Sequence, residues 1–534
     1  MVREKIKNLI AKSLKNLQKR AILPPFEFSK TQIEIEKPKF AFQGDYSTTL
    51  AFVLAKKLEK KPEEIGQFLK SEIEKEKVFE KVEVVKPGFV NFFLSREYLQ
   101  EKLKEILKEG EKFGRAKKRK GKKVQVEFIS ANPTSQLHIG NGRGAFFGDV
   151  LANVLEMAGF DVEREYFIND AKTNTQIRLL GQTALGKGTA YLNEYLKEKI
   201  KKLQSKLKKI SDEREAGYLL AQEIQKDNKK FIETKLKIKF DNWVSEEKLY
   251  KIGKVKKVYE ILKKEGLVYK KEGAEWLKIS AFGAPKDEVI IRRDGNPTYF
   301  LSDIAYHKDK FERGYHKIIN IWGADHQGHV PKIKAIAKIF GFRGELEILI
   351  SQLVRLKGGQ KMSKRKGEIV TLEELIDEVG LDVARFFYLT KSLDSQMEFD
   401  LELAKEQSEK NPVYYIQYAH TRICGILRKC KKIELKKSDL RNLKFLNHPS
   451  EINLIKQLIR LPEIVEDTAK DYQIQRIPQY ALDLASSFHH FYKECRVLEE
   501  KENLKKARLF LCLATKTVLK NVLNLMGISA PKKM

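Results

Sequence analysis

The stretch from Val124 to Ala145 decides the fold and reads Val-Gln-Val-Glu-Phe-Ile-Ser-Ala-Asn-Pro-Thr-Ser-Gln-Leu-His-Ile-Gly-Asn-Gly-Arg-Gly-Ala. It opens with apolar and β-branched residues typical of a strand, turns through proline and glycine, and continues into a pattern that predicts a helix from about Gly142 to Ala158. Strand, glycine loop and helix in that order begin a nucleotide-binding βαβ unit. The stretch therefore predicts an α/β domain with a parallel sheet.

Downstream patterns extend this domain. Strand-like segments at 288–292, 317–322 and 346–350 alternate with helical patterns, which predicts that the parallel sheet resumes there. Between them lies a strongly charged region that we interpret as a helical insertion at about 190–285. Its apolar stripe is typical of core packing and consists of Leu196, Ile200, Leu203, Leu207 and Ile210.

The flanking regions predict two further domains. Residues 1–115 are expected to form an α+β unit, with an apolar face on the first helix and two strands that meet at Pro87 and Gly88. The α/β domain follows at 116–395. Residues 396–534 show almost no strand pattern and predict an all-α domain, in which Asn411 and Pro412 begin a long helix.

Composition limits the class of protein. The 534 residues carry a formal net charge of +31 with 42% hydrophobic residues, so the chain folds and either attracts polyanions or carries the lysine-rich surface of a thermophile. Four cysteines, none in a CxxC pair, argue against a zinc ribbon or a disulfide framework. Lysines interrupt the N-terminal apolar pattern and no membrane-spanning run occurs, so we expect a soluble, cytoplasmic protein.

The first candidate site lies where the strand passes into the helix, at His138, Gly140, Asn141 and Gly142. Backbone N–H groups at a helix start bind phosphate, side chains of His138 and Asn141 add donors, and the glycines allow a base or ribose to approach. A His-x-Gly triplet is common enough to arise by chance, so the residues alone leave a structural role for His138 equally open.

The second candidate site is the string Lys361-Met362-Ser363-Lys364 on a glycine-flanked polar loop. Two lysines three residues apart can close over a triphosphate and balance the charge that develops on departing pyrophosphate. A basic run is usually a solvated surface loop. This four-residue string is nevertheless rare by chance, which favours a nucleotide site.

Together the two sites resemble the signatures of class I aminoacyl-tRNA synthetases, and the surrounding strings resemble the bacterial type of arginyl-tRNA synthetase. The similarity covers nearly the whole chain. Its longer strings are Gly44-Asp-Tyr-Ser-Thr-Thr, Tyr166-Phe-Ile-Asn-Asp-Ala, Pro297-Thr-Tyr-Phe-Leu-Ser-Asp-Ile-Ala-Tyr-His, Trp322-Gly-Ala-Asp-His-Gln-Gly-His, Asn411-Pro-Val-Tyr-Tyr-Ile-Gln-Tyr-Ala-His and Gly527-Ile-Ser-Ala-Pro-Lys-Lys-Met.

The resemblance implies a class I Rossmann-type catalytic domain and two-step ligation of L-arginine to its tRNA. Arginyl-adenylate would form from ATP and Mg²⁺, and the arginyl group would then pass to the terminal ribose of tRNA. His138, Asn141, Lys361 and Lys364 would be catalytic, and Gly140, Gly142, Met362 and Ser363 would join them in binding ATP. Asn141 departs from the family, which ordinarily has histidine there, and asparagine cannot carry positive charge.

The resemblance also implies an arginine pocket. Asp303 would face the guanidinium, Tyr299 would form a wall, and Asn132, His326, Asp325 and Asn169 would complete the pocket, the last with a less defined role. From the residues alone, Asp303 could instead be a helix N-cap and Tyr299 could be core. A metal site of His326, His329 and Asp325 lacks a completing ligand, so we expect no structural metal.

The all-α domain of this family binds the anticodon, and its N-terminal domain contacts the tRNA elbow. Tyr414, Tyr418 and Arg422, with Tyr415 and His420, would supply stacking and cationic groups, although some of these tyrosines could face the core. Two other classes remain as alternatives: a non-catalytic tRNA-binding relative, and a dinucleotide-dependent oxidoreductase whose glycine spacing does not fit. Nothing in the sequence demands a dimer, so we expect a monomer.

Replacement of Lys364 tests the second signature. We expect Lys364→Ala to lower the rate of adenylate formation about a hundredfold with little change in the arginine KM, because the lysine acts on charge that develops in the transition state. Arginine-dependent exchange of pyrophosphate into ATP, with tRNA present, measures this rate. Lys366→Ala in the same loop is the control; a normal rate with weaker ATP binding in Lys364→Ala would make the loop a docking element.

Overall fold

The computed structural model describes residues 1–359, 370–430, 433 and 435–534. The N-terminal unit packs helices against an antiparallel sheet with the strand order β1-β3-β2. Its elements are α1 (Val2–Lys19), β1 (Tyr46–Thr48), α2 (Leu50–Leu58), α3 (Pro62–Ile73), β2 (Phe79–Val85), β3 (Phe89–Leu94) and α4 (Arg96–Glu109). Val85 pairs with Phe89 across the predicted turn, and the apolar face of α1 is buried, so both predictions are confirmed.

The central unit contains the parallel sheet. Its helices are α5 (Ile139–Met157), α6 (Thr175–Ala184), α7 (Glu194–Leu207), α8 (Glu213–Thr234), α9 (Glu246–Lys251), α10 (Lys254–Lys264), α11 (Tyr299–Glu312), α12 (Val330–Ile339), α13 (Leu372–Val379) and α14 (Leu381–Leu389). Its strands are β4 (Lys123–Glu127), β5 (Asp161–Ile168), β6 (Asn242–Ser245), β7 (Val268–Lys271), β8 (Ala274–Leu277), β9 (Glu288–Ile291), β10 (Lys317–Gly323), β11 (Glu345–Ser351), β12 (Val354–Leu356) and β13 (Met397–Phe399).

Five of these strands form one parallel sheet in the order β11-β10-β4-β5-β6. The chain leaves β4 toward β5 on one side and later returns to β10 on the other side. The strand order therefore reverses between β4 and β10, and such a switch point opens a crevice at the carboxyl ends of the strands, where ligands bind in open α/β sheets. The predicted strands at 124–129, 317–322 and 346–350 are confirmed.

Two expectations for this unit are wrong. The segment at 288–292 does not resume the parallel sheet, because β9 pairs antiparallel with β8 in a separate sheet of β7, β8 and β9. The insertion predicted at about 190–285 is helical only in part, since β6 belongs to the central sheet and β7 and β8 lie within the same range. A period-two pattern indicates a strand but carries no information about its partner, and β6 is too short to show a pattern.

The described part of the chain from residue 401 onward contains helices and no strand, whereas β13 lies inside the range 396–534 predicted to be all-α and pairs with β12 of the central unit. Its helices, counted from residue 401, are α15 (Leu401–Lys405), α16 (Pro412–Lys429), α17 (Pro449–Leu458), α18 (Leu461–Asp471), α19 (Arg476–Glu494) and α20 (Glu502–Leu525). Asn411 caps α16 by accepting a hydrogen bond from Val413 N, and Pro412 occupies the first turn. Among the helices that the structure describes, none has the length and apolar character needed to cross a membrane.

A buried ion pair joins the three elements around the switch point. Lys310 Nζ on α11 lies 2.5 Å from Glu127 Oε2 on β4 and 2.9 Å from Asn320 Oδ1 on β10. The side chains of Lys310 and Glu127 are 0% and 4% exposed. A charge buried this deeply requires its partner, so the pair fixes α11 against both central strands.

Replacement of Lys310 tests this constraint. Lys310→Met leaves the buried Glu127 carboxylate without a counter-charge, so we expect the free energy of unfolding of the central unit to fall by about 3–5 kcal/mol. The three tryptophans of the chain, Trp243, Trp276 and Trp322, all lie in this unit, so their fluorescence during urea unfolding reports on it. Lys334→Met, at an exposed position on α12, is the control and should change stability by less than about 0.5 kcal/mol. Equal stability of Lys310→Met and the parent would show that the Lys310–Glu127 pair does not stabilise the central unit.

Candidate active site

A cavity of about 390 Å³ lies at the carboxyl ends of β4, β5 and β10, at the switch point of the sheet. Its polar lining contains Glu127, Ser130, Asn132, Asn169, Glu246, Arg292, Tyr299, Asp303, His307, His326 and His329, among other residues. Three carboxyl groups, those of Glu127, Glu246 and Asp303, and the guanidinium of Arg292 thus line a space large enough for a small polar ligand.

The loop after β4 forms one wall and is locked to β5. Ile129 and Ser130 adopt positive φ values of 67° and 39°, a conformation that is strained for a β-branched residue such as isoleucine. Ser130 Oγ donates to Glu127 Oε1 at 3.0 Å and accepts from Phe167 N at 3.1 Å, and Ser130 O accepts from Asn169 Nδ2 at 3.2 Å. These bonds hold the loop backbone open toward the cavity.

Asp303 and Tyr299 lie one turn apart on α11 and face the cavity together. The N-cap of α11 is Thr298, so the alternative that Asp303 is an N-cap is wrong. Tyr299 is 58% exposed, so the alternative that it is core is wrong as well. Asp303 Oδ2 lies 2.9 Å from His329 Nε2, which orients the carboxylate at the cavity wall.

The other predicted pocket residues divide into two groups. Asn132, Asn169 and His326 line the cavity, as the prediction requires. Asp325 does not, because the short turn at 324–329 directs its side chain outward, where it is 80% exposed and its Oδ2 lies 3.4 Å from His326 Nε2. Within the described residues no three His, Cys, Asp or Glu side chains converge as a metal site.

Glu246 is a cavity residue that the sequence analysis missed. It is 4% exposed and follows β6 directly; Ser302 Oγ donates to its Oε1 at 2.6 Å, while its Oε2 has no hydrogen-bond partner in the described chain. Burial raises the pKa of the Glu246 carboxyl to about 8, and repulsion from Asp303 and Asp170 adds to the effect. Recognition of β6 as a sheet strand would have placed this residue at the carboxyl edge.

A buried network supports the cavity floor. Burial lowers the pKa of His307 to about 3, so its ring is neutral at pH 7. Its Nδ1 lies 2.8 Å from Asp303 O and its Nε2 lies 3.0 Å from Asn320 Nδ2. Because a carbonyl only accepts and an amide nitrogen only donates, the proton is on Nδ1. The network ends at Lys310 and Glu127, so the buried ion pair supports the backbone of Asp303.

The first signature begins α5 at Ile139, three residues earlier than predicted, because His138 and Asn141 form a capping box. Gly140 N donates to His138 Nδ1 at 3.0 Å, and His138 N donates to Asn141 Oδ1 at 2.9 Å. Burial lowers the pKa of His138. Since Nδ1 accepts a bond, neutral His138 presents a donor at Nε2, and Asn141 keeps only its amide nitrogen for a ligand.

The two glycines of this signature differ in their surroundings. A Cβ atom on Gly140 would lie 2.8 Å from His138 Cε1, so the capping ring requires a glycine there. A Cβ atom on Gly142 would lie 2.8 Å from Leu372 Cδ1 and 2.9 Å from Tyr388 Cζ, so close packing against α13 and α14 accounts for this glycine. Contact of either glycine with a nucleotide stays a prediction.

The predicted second signature, Lys361, Met362, Ser363 and Lys364, lies outside the described residues. The residues that follow it in the sequence, Val370 to Leu372, lie beside the first signature. Ile139 N donates to Val370 O at 3.2 Å, and Leu372 N donates to Leu137 O at 2.8 Å. Val370 and Leu372 therefore lie at the start of α5.

The aromatic cluster predicted on α16 is partly exposed. Arg422 Nη2 donates to Tyr418 Oη at 2.7 Å, and its guanidinium lies over the rings of Tyr418 and Tyr492. Tyr414 stacks on Tyr418, whereas Tyr415 packs against the core, as the alternative allowed.

His420, also on α16, is 2% exposed and its Nδ1 contacts Pro531 O at 2.8 Å, so its prediction as a surface group for RNA is wrong. Helical spacing placed it on the inner face of α16.

Comparison with known families gives three matches along the chain. Residues 4–94 match the model described as arginyl tRNA synthetase N terminal domain, residues 102–180 and 189–398 match tRNA synthetases class I (R), catalytic domain, and residues 416–534 match the DALR anticodon binding domain. Together these models account for most of the chain.

Individual relatives agree with these matches over their whole length. The chain is 43% identical to an arginine–tRNA ligase of Caldanaerobacter subterraneus over 100% of this chain and 99% of that protein. It is 39% identical to the arginine–tRNA ligase of Bacillus subtilis, with 100% of both chains covered. A putative arginyl-tRNA synthetase structure from Campylobacter jejuni has a TM-score of 0.74 at 34% identity, covering 83% of this chain and all of that one.

Replacement of Glu246 tests whether folding raises the pKa of its carboxyl group. A carboxyl group with a folded pKa of about 8 and an ordinary value of 4.5 holds its proton more tightly in the folded state. It therefore lowers stability as the pH rises from about 4.5 to 8. We expect Glu246→Gln to raise the Tm at pH 8 by at least about 2 °C and to change it little near pH 4.5, as followed by tryptophan fluorescence.

Glu260→Gln, on the exposed side of α10, is the control and should shift the Tm equally at both pH values. A stability difference between Glu246→Gln and the parent that does not vary with pH would contradict the raised pKa.

Proposed function

Since the chain belongs to the arginyl-tRNA synthetase family and ligates arginine to tRNA with the use of ATP, we propose that the cavity at the switch point is its arginine pocket. The main support for this proposal is that Asp303 and Glu246 line the same small cavity and that Glu246 Oε2 accepts no hydrogen bond within the described chain. A buried carboxylate oxygen without a donor costs free energy, and a bound guanidinium would satisfy it.

The guanidinium of arginine presents five N–H donors in one plane and remains charged at all relevant pH values. Asp303 and Glu246 supply negative acceptors, and Tyr299 supplies a ring face and a hydroxyl group. Asn132, Asn169 and His326 offer polar groups for the amino and carboxylate ends of the substrate. A lysine substrate could not pair with two carboxylates in this planar manner, which accounts for selectivity.

Adenylate formation joins this pocket to the first signature. The arginine carboxylate attacks the α-phosphorus of ATP in line, and pyrophosphate leaves. His138 Nε2, the Asn141 amide and the N–H groups at the start of α5 would bind phosphate, with Gly140 and Gly142 close to the nucleotide. Lys361 and Lys364, with Met362 and Ser363 in the same loop, would neutralise the leaving group together with the Mg²⁺ that accompanies ATP.

The transfer step brings a ribose hydroxyl at the 3′ end of tRNA to the arginyl carbonyl, and AMP leaves. Tyr414, Tyr418 and Arg422 would stack on unpaired anticodon bases, and Tyr492 extends that surface because it contacts Arg422. We also propose domain boundaries at about residues 115 and 395, a monomeric state and a cytoplasmic location.

Replacement of Asp303 tests the pocket. Asp303→Asn removes the charge that would face the guanidinium while keeping the shape of the side chain, so we expect the arginine KM to rise at least about a hundredfold. The KM for ATP should change by less than about twofold, since the nucleotide binds elsewhere. Initial rates of aminoacylation at varied arginine and ATP concentrations measure both constants.

Asp325→Asn is the matched control, because Asp325 belongs to the predicted pocket by sequence but lies outside the cavity. Its arginine KM should equal that of the parent. An unchanged KM in Asp303→Asn, or an equal rise in both variants, would refute the proposed pocket.

A further inference from the structure

One cationic side chain in the lining of the active-site cavity has no role in the mechanism above. Arg292 is the only lysine or arginine that lines this cavity within the part of the chain that the structure describes. Arg292 is exposed, whereas Glu246 is 4% exposed and the side chain of Asp303 is 24% exposed. The cavity therefore has acids in its interior and a guanidinium at its open side.

A tight turn between β9 and α11 positions Arg292. Arg292 N donates to Asn296 O at 2.9 Å, and Gly295 N donates to Arg292 O at 3.0 Å. Thr298, the N-cap of α11, donates from its N to Ile290 O at 2.9 Å, so the chain that leaves β9 returns directly to the start of the helix. These bonds fix the backbone of Arg292 beside the helix that carries the two main predicted pocket residues.

The two adjacent arginines of this turn have different surroundings. Arg293 does not line the cavity, and its Nη2 lies 3.7 Å from Glu272 Oε2 in the turn between β7 and β8. Asp294 Oδ1 accepts a hydrogen bond from Asn296 N at 3.0 Å. The guanidinium of Arg292 forms neither an ion pair nor a hydrogen bond with any other residue that the structure describes. Arg292 is therefore free to bind an anion at the cavity.

The charges of the cavity complement those of L-arginine in one direction only. The substrate has a guanidinium at one end and a carboxylate at the other. With the guanidinium inward, it meets Glu246 and Asp303, and its carboxylate lies at the open side near Arg292. The reversed orientation would bring like charges together at both ends. Adenylate formation also requires that the carboxylate remain accessible to ATP, so this end belongs at the open side.

We propose that Arg292 binds the carboxylate of L-arginine and sets the direction in which the substrate enters the pocket, an inference that rests on the proposed arginine pocket. A guanidinium binds a carboxylate through two parallel N–H donors, which fixes the orientation of that carboxylate. The same charge repels cationic guanidino compounds that lack a carboxylate. Arg292 thus contributes selectivity for the amino acid over its decarboxylated amine, agmatine.

The test compares arginine as substrate with agmatine as a competitive inhibitor of aminoacylation. We expect Arg292→Leu to raise the arginine KM about tenfold, because one charge-assisted contact is lost, and not to raise the Ki of agmatine. Arg292→Glu reverses the charge, so it should raise the arginine KM further and lower the agmatine Ki about tenfold. Arg292→Lys keeps the charge and should keep the arginine KM within about threefold of the parent value.

Arg293→Leu is the matched control, because it removes the same charge from the next residue, which lies outside the cavity. Its arginine KM and agmatine Ki should equal those of the parent. An equal rise of both constants in Arg292→Leu would indicate a distorted pocket and overturn the proposal, as would an unchanged arginine KM. A KM in Arg292→Lys as high as in Arg292→Leu would show that the charge does not matter, and would overturn it as well.

Two further measurements identify what has failed if the result differs. A rise in the ATP KM of Arg292→Leu without a rise in the arginine KM would place this guanidinium on the nucleotide and refute its role with the substrate carboxylate. Asp303→Asn should weaken arginine and agmatine alike, since both carry the guanidinium. If Asp303→Asn changed neither constant, the arginine pocket itself would be wrong; if it weakened both while Arg292→Leu and Arg292→Glu matched the parent, only the role of Arg292 would be wrong.

Discussion

The buried pair of Lys310 and Glu127 is the constraint on which the candidate active site depends. It joins α11 to the two strands between which the sheet order reverses, and neither charge reaches solvent. From Lys310 the hydrogen bonds pass through Asn320 and His307 to the backbone of Asp303. Ionic and neutral groups are paired along this path, so the network holds the backbone of Asp303 in place at the cavity.

The protein must bind a cation and a polyanion at neighbouring places. Its overall charge of +31 attracts tRNA, yet the cavity at the switch point contains Glu127, Glu246 and Asp303. Burial reconciles the two requirements, because salt and water screen the surface lysines strongly and the enclosed carboxylates much less. The raised pKa of Glu246 reflects first the burial of its carboxyl group and then its repulsion by Asp303 and Asp170.

In the proposed pocket, entry of arginine would add a proton step to this arrangement. Glu246 holds a proton near pH 7 in the free protein, since burial raises its pKa to about 8. A guanidinium that pairs with Oε2 would favour the ionised carboxylate and release that proton. Arginine binding in the proposed pocket would therefore strengthen as the pH rises toward 8, in the direction opposite to the stability of the free protein.

The sequence by itself determined the elements whose patterns are local. Hydrophobic periodicity identified α1, β4, β10 and β11 and the helical character of the C-terminal unit. The turn residues Pro87 and Gly88 marked the hairpin of β2 and β3, and the pair Asn411-Pro412 marked the start of α16. Resemblance of long strings identified the family and predicted Tyr299 and Asp303 as pocket residues, and both line the cavity. Only the tertiary structure decided which strand pairs with which, so β9 moved to an antiparallel sheet and β6 joined the central one. It likewise turned Asp325 to solvent, buried His420 and brought Glu246 beside Asp303. Strand partners and side-chain surroundings depend on residues distant in the chain, and no local pattern records them.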